Sequence, residues 1–268
     1  MPSAAALRIE IEHALENRFP SALTPPPRTL HEVAPTGVSQ IDSLLGGGLP
    51  VGAISELTGP QSSGRTSLAL AFLAQRSAAE QVCAWVDSED ALDPESAAAN
   101  GVSLRHLLWV RCRNFAVQAR AVALSRSTAP KSRPWTRLDQ ALRATDLLLQ
   151  AGGFAAIVLD LGDTEPEHGM RIPLATWFRF RQAANRTRCS LVVLGKVAYA
   201  QSSAALVLEC SPLHAKIAGE TALRSFTFEV RKGRAASATT SILTGMRKPP
   251  ASTWSARAAW EAEMRGEQ

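Results

Sequence analysis

Two hydrophobic patterns alternate through the middle of the chain. Short apolar runs rich in β-branched residues, at 53–58, 82–87, 107–112, 155–160 and 190–195, predict strands. Stretches with apolar residues three and four apart, at 64–77, 91–101, 138–150 and 175–186, predict helices. Strand and helix in this order predict an α/β fold, with a mostly parallel twisted sheet, helices on both faces and ligands at the carboxyl ends of the strands. After residue 204 the helical period stops, and 204–209, 225–231 and 239–244 predict antiparallel strands that extend the sheet.

The ends of the chain follow other patterns. Residues 4–18 place Leu7, Ile11 and Leu15 on one stripe of a predicted amphipathic helix, followed by a proline-rich linker at 20–33. That stripe covers either this chain's own core or a neighbouring molecule. Residues 115–136 carry Arg126, Lys131 and Arg133 with no acid and interrupt the alternation, which predicts an exposed basic insertion. Beyond Pro249 and Pro250 the tail carries Trp254, Arg257 and Trp260, either folded back on the domain or anchoring a partner. The expected organisation is therefore 1–35 (helix and linker), 36–246 (core) and 247–268 (basic, aromatic tail).

Composition narrows the function classes. A hydrophobic share of 46% against 20% charged residues supplies a real core and excludes a disordered chain. No apolar run approaches the about 18 residues of a membrane span, so a cytoplasmic protein with no membrane partner is expected. Cys83, Cys112, Cys189 and Cys210 have no metal or redox spacing and read as reduced core thiols, and the histidines show no metal spacing either. A net charge of +5 permits an anionic partner without demanding one.

One motif carries chemistry. Gly59-Pro60-Gln61-Ser62-Ser63-Gly64-Arg65-Thr66 follows a predicted strand and opens a predicted helix, the setting of a phosphate loop. There, backbone N–H groups and the helix N-terminus face phosphate, glycines permit close approach, a lysine reaches the terminal phosphates and a hydroxyl holds magnesium. Arginine occupies the lysine position, and its planar fork does not replace an ammonium at a tightly wrapped phosphate.

With the tract from Val38 to Gly52 and the tract Val86-Asp87-Ser88-Glu89-Asp90-Ala91-Leu92-Asp93-Pro94, this loop resembles the RecA recombinase core over roughly 36–245. The resemblance implies a RecA-like phosphate-loop core binding ATP or ADP with Mg. Gly59, Ser62, Ser63, Gly64, Arg65, Thr66 and Asp93 would lie at the nucleotide, Thr66 and Asp160 at the metal, and Glu89 as the residue polarising water. Lys232 and Arg234 would be the basic pair reaching a neighbour's nucleotide. Departures accompany it: Arg65 for lysine, Lys196 for the glutamine reporting the γ-phosphate, a tract at 197–203 too short for a long DNA-binding loop, and Ser96 for the aromatic on adenine.

Within that family the chain is similar to the ImuA group, accessory proteins of bacterial translesion mutagenesis cassettes in the SOS response. That likeness implies an interaction protein on a degenerate ATPase core. Its partners would be an ImuB-like Y-family polymerase homologue and RecA, an α-type subunit of an error-prone polymerase III indirectly, with weak DNA contact left open and the nucleoid as its place of action. Two other classes stand beside it, an active DNA-dependent recombinase ATPase and a nucleotide-gated regulator. Arg65, Lys196 and the short tract after it argue against the second class, and the missing lysine against the third.

Overall fold

The computed structural model describes residues 32–113, 136–162, 164–218, 222–235 and 251–257. The chain divides into units Met1–His31 and Glu32–Gln268, and every described residue belongs to the second. The helix expected at 4–18, the insertion up to residue 135, the strand expected at 239–244 and Trp260 lie outside the described residues.

A short antiparallel pair, β1 (Val33–Ala34) and β2 (Leu49–Pro50), encloses α1 (Ser39–Leu45). The main sheet then forms in the predicted alternation: β3 (Ile54–Thr58), α2 (Arg65–Ala78), β4 (Cys83–Asp87), α3 (Pro94–Ala99), β5 (Leu107–Arg111), α4 (Arg137–Ala151), β6 (Ala156–Asp160), α5 (Pro166–Met170), α6 (Leu174–Thr187), β7 (Ser190–Gly195), β8 (Ala204–Ala218), β9 (Ala222–Ala235) and β10 (Ala251–Arg257). Its eight strands run in the order β10-β9-β8-β3-β7-β6-β4-β5. From β8 to β5 all pairings are parallel, while β9 and β10 add antiparallel at one edge. The α/β class with a mostly parallel sheet and antiparallel C-terminal strands is therefore what the chain adopts.

Each central strand is buried on both faces because alternate residues feed opposite cores. Cys83, Trp85, Ala156 and Val158 join Leu68, Phe72 and Leu73 of α2 on one side. Ala84, Val86, Ile157 and Leu159 join Ala141 of α4 and Trp177 and Phe180 of α6 on the other. Element ends follow their caps. α3 starts only at Pro94, since proline suits the first helical position and Asp93 accepts from the N–H groups of Glu95 and Ser96. α4 starts on a capping box between Thr136 and Asp139. The four cysteines are free and buried, and burial pushes the Cys83 and Cys112 thiols up to about 11.

Two expectations are corrected. The strand expected antiparallel from residue 204 pairs parallel with β3 on one side and antiparallel with β9 on the other. The chain returns from the end of β7 to the start of β3 through 196–203 before β8 begins, so β8 enters in the direction of β3. The tail is no separate appendage either, because Ala251–Arg257 is the sheet's last strand, with Trp254 opposite Phe228. Their ring centroids lie 5.0 Å apart and Trp254 is only 7% exposed. A diproline ends a helix but does not prevent the following residues from adding to a sheet edge. Removing a buried Trp costs about 3 to 5 kcal/mol, so Trp254→Ala should lower the urea midpoint strongly; a loss below about 0.5 kcal/mol, the range of ordinary surface changes, would put the ring outside the core.

Candidate functional site

The loop from Gly59 to Gly64 leaves the carboxyl end of β3 and feeds directly into α2. Its backbone turns through positive φ at Gly59 (152°), Ser62 (59°) and Gly64 (84°). Side chains are excluded at both glycines by contact as well as by conformation: a Cβ on Gly59 would stand 2.2 Å from the Cys210 carbonyl, and one on Gly64 would enter the Phe228 ring. Trp254 stacks on that same Phe228, so the last strand buttresses the loop.

Arg65, the first residue of α2, is only 6% exposed. Its guanidinium donates to the Gly59 carbonyl at 2.6 Å and to the Gly162 carbonyl at 3.0 Å. Gly162 follows β6, and its own N–H donates to Asp160 Oδ1 at 2.9 Å. The cation at the lysine position is therefore engaged by the protein's own carbonyls, tying the loop to the end of the strand that carries Asp160.

Around this tie lies a cavity of about 460 Å³ bordered by Gln61, Ser62, Ser63, Gly64, Arg65 and Thr66, and across from them by Glu89, Asp93, Ser96 and Asp160. Trp85, Leu92 and Phe228 supply its apolar wall. The structure thus brings together all the loop residues singled out in the sequence that border the cavity, with Glu89, Asp93 and Asp160. Gly59 lies behind the loop, bonded to Arg65.

The acids are occupied. Glu89 Oε2 accepts from Arg137 at 2.8 Å. Asp93 caps α3 and accepts the Ser96 hydroxyl at 2.5 Å, and these bonds hold its carboxyl below the usual range. Asp87, which sequence reasoning passed over, organises the turn that carries Glu89: its buried carboxylate accepts from the backbone N–H groups of Glu89, Ala91 and Leu92 and from the Trp109 indole. Asp90 in the same turn is clamped by Arg111, whose hydrogen bond lowers its pKa.

Beyond β7, Lys196 reaches Glu165 at 2.9 Å. The return segment that follows is fixed by Glu56, buried in the middle of β3, whose Oε1 accepts from the backbone N–H groups of Tyr199 (2.6 Å) and Ala200 (2.9 Å). Irregular backbone crossing a sheet needs such acceptors. Glu56 is the one acid in the apolar run at 53–58, a signal legible in the sequence and missed there. Lys232 and Arg234 stand on β9 opposite Leu208 and Val207, and Lys232 is not among the residues that border this cavity. Trp254 and Arg257 stand in β10, so Trp254 is a core residue and not an exposed anchor.

The cradle fits an anion: it offers a helix N-terminus, turned backbone N–H groups, and a buried Ser63 hydroxyl without a hydrogen-bond partner among the described residues. Thr66 and Asp160 both border the cavity and would supply oxygen ligands to a magnesium ion bound there. In this site Arg65 is bound to carbonyls and Glu89 to Arg137. Among the described residues no cluster of His, Cys, Asp and Glu could hold a metal by itself, and no helix is long and apolar enough to cross a membrane.

A family model described as the RecA N-terminal domain matches residues 5–129. The chain is similar to the RecA proteins of Brucella anthropi and Allorhizobium ampelinum, each 32% identical over 181 residues covering 62% of this chain and 44% of the relative. RecA of Brucella canis is 31% identical over the same length. The chain thus spans less than half the length of the curated relatives it matches.

A charge-assisted hydrogen bond contributes about 1.5 to 3 kcal/mol. Arg65→Ala, which removes two, should destabilise the fold by about 3 kcal/mol in a urea titration. A change within about 0.5 kcal/mol would show that the tie contributes nothing.

Proposed function

We propose that this chain, which belongs to the RecA-like recombinase superfamily, acts in SOS-linked, error-prone translesion synthesis as an ImuA-type accessory protein. It works by protein contact, with RecA and an ImuB-like Y-family homologue as partners, in the bacterial cytoplasm at the nucleoid. An α-type subunit of polymerase III is reached through those partners.

One observation carries the reading. The loop cation is held by the carbonyls of Gly59 and Gly162, and so is withdrawn from the charge that builds up on a transferred phosphoryl group. Losing one such contact in a transition state costs a few kcal/mol. The Arg137–Glu89 pair engages one oxygen of the carboxylate that would orient water. The return segment pinned by Glu56 supports it further, since a tract bonded to the sheet core does not offer a long loop to DNA. Nucleotide held in the cradle would serve as a bound ligand, with ATP or ADP and Mg retained and not turned over.

A second reading, an active DNA-dependent ATPase, is favoured by the name RecA on the matched relatives and by Thr66 and Asp160 at the cavity. The two part in a steady-state ATPase assay with and without single-stranded DNA. We expect no turnover above background in either condition, no recovery in Arg65→Lys, and co-sedimentation of the chain with RecA and with the ImuB-like homologue. Turnover abolished by Glu89→Gln would overturn the accessory reading in favour of the enzyme.

A further inference from the structure

A magnesium ion at a phosphate site has two effects: it offsets the ligand's charge against nearby carboxylates, and it bridges the groups on either side. In this chain a side chain already does both. The guanidinium of the buried Arg65 joins the carbonyl of Gly59 on the loop to that of Gly162 beyond β6. A Cβ built on Gly162 would stand 3.0 Å from Asp160 Oδ1 and 3.1 Å from Arg65 Nη2, so carboxylate and guanidinium flank one point of the backbone. Carbonyls are neutral, and they hold the guanidinium without cancelling its charge. That charge stays beside Asp160, at the wall of the cavity.

The other two acids bordering the cavity are offset within the protein as well. Glu89 is paired with Arg137, and Asp93 accepts the Ser96 hydroxyl and caps α3. On the loop side stand Gln61, Ser62, Ser63, Gly64 and Thr66, with no acid among them. The Ser63 hydroxyl, buried and without a hydrogen-bond partner among the described residues, is a donor left over for phosphate. A phosphate on the loop N–H groups therefore faces carboxylates that need no further cation, while a divalent ion coming to Asp160 meets a fixed guanidinium of like charge. Leu70, Trp85, Leu92 and Phe228 leave an apolar wall for a base.

We infer that the cavity binds a nucleoside di- or triphosphate without needing magnesium, the guanidinium of Arg65 serving as the countercharge and bridge that the ion would otherwise supply. The inference rests on the reading of nucleotide as a retained ligand and deepens it. A countercharge bonded in place offsets the phosphates of a bound ligand and does not follow one that is transferred.

Isothermal titration calorimetry of the full chain with ADP, in EDTA and again in excess magnesium, tests it. The two dissociation constants should agree within about threefold. Arg65→Lys, whose compact ammonium lacks the fork that spans both carbonyls, should bind about tenfold or more weakly in EDTA and recover most of that loss in magnesium. A urea titration shows whether this variant is folded. Asp160→Asn, which removes the carboxylate facing Arg65, should tighten ADP binding in both conditions, and it carries the test alone if Arg65→Lys does not fold. Wild-type binding that requires magnesium, a folded Arg65→Lys chain as indifferent to magnesium as the wild type, or weaker binding of Asp160→Asn in magnesium would each overturn the inference. Wild-type binding in magnesium alone would leave nucleotide retention standing and remove only its independence of the metal. No ADP binding in either condition would remove both, and the co-sedimentation assay reads partner contact separately.

Discussion

The guanidinium of Arg65, held between the carbonyls of Gly59 and Gly162, is the interaction on which the rest of the site depends. In a phosphate loop of this architecture the ammonium of a lysine is free to follow phosphate. A longer, forked cation at the same place has donors at its far end that reach across the sheet, and the carbonyl after Asp160 lies within their range. The bond joins two elements that a bound magnesium–nucleotide would otherwise hold together, the loop after β3 and the end of β6. The burial of Arg65 is tolerable because its donors meet carbonyl oxygens.

Other parts of the structure reinforce that fixed arrangement. Phe228 lies on Gly64 and Trp254 lies on Phe228, so the loop is backed by the two antiparallel strands at the sheet edge. On the far side, Tyr199 fills the space beside Gly169 and Gly195, where a Cβ would enter its ring, and Glu56 holds the backbone on which Tyr199 rides. The turn carrying Glu89 is in turn bonded to the buried Asp87. Arg65, Glu89, Asp93 and Lys196 are thus each bonded to other groups of the protein. That is the physical content of a core that keeps a RecA-like architecture around a loop tied to the protein's own carbonyls.

Much of this was legible in the sequence, and the remainder was not for identifiable reasons. Buried parallel strands show as uninterrupted apolar runs, so β3, β4, β5, β6 and β7 could be placed to within a residue or so. α3 could not, because Asp93 and Pro94 delay its start within a stretch of helix-forming residues. The strand β10 escaped because its residues are mostly small and its one large apolar residue, Trp254, is core only through pairing with β9, a contact distant in sequence. The loop and its departure at position 65 were plain; where the guanidinium would turn was not, since Gly162 is brought near only by the fold. The Arg137–Glu89 pair was hidden in the same way, with the arginine on the far side of the basic insertion. Glu56 alone left a visible mark, an acid in the middle of a buried run.

The central claim is that Arg65 already holds the loop to the end of β6 without nucleotide. Hydrogen exchange of the backbone amides of Leu161, Gly162 and Thr164, compared with and without saturating Mg·ATP, measures it directly. The account predicts slow exchange in the free chain, unchanged by Mg·ATP and accelerated in Arg65→Ala. Fast exchange in the free chain that becomes slow only when Mg·ATP is added would contradict it.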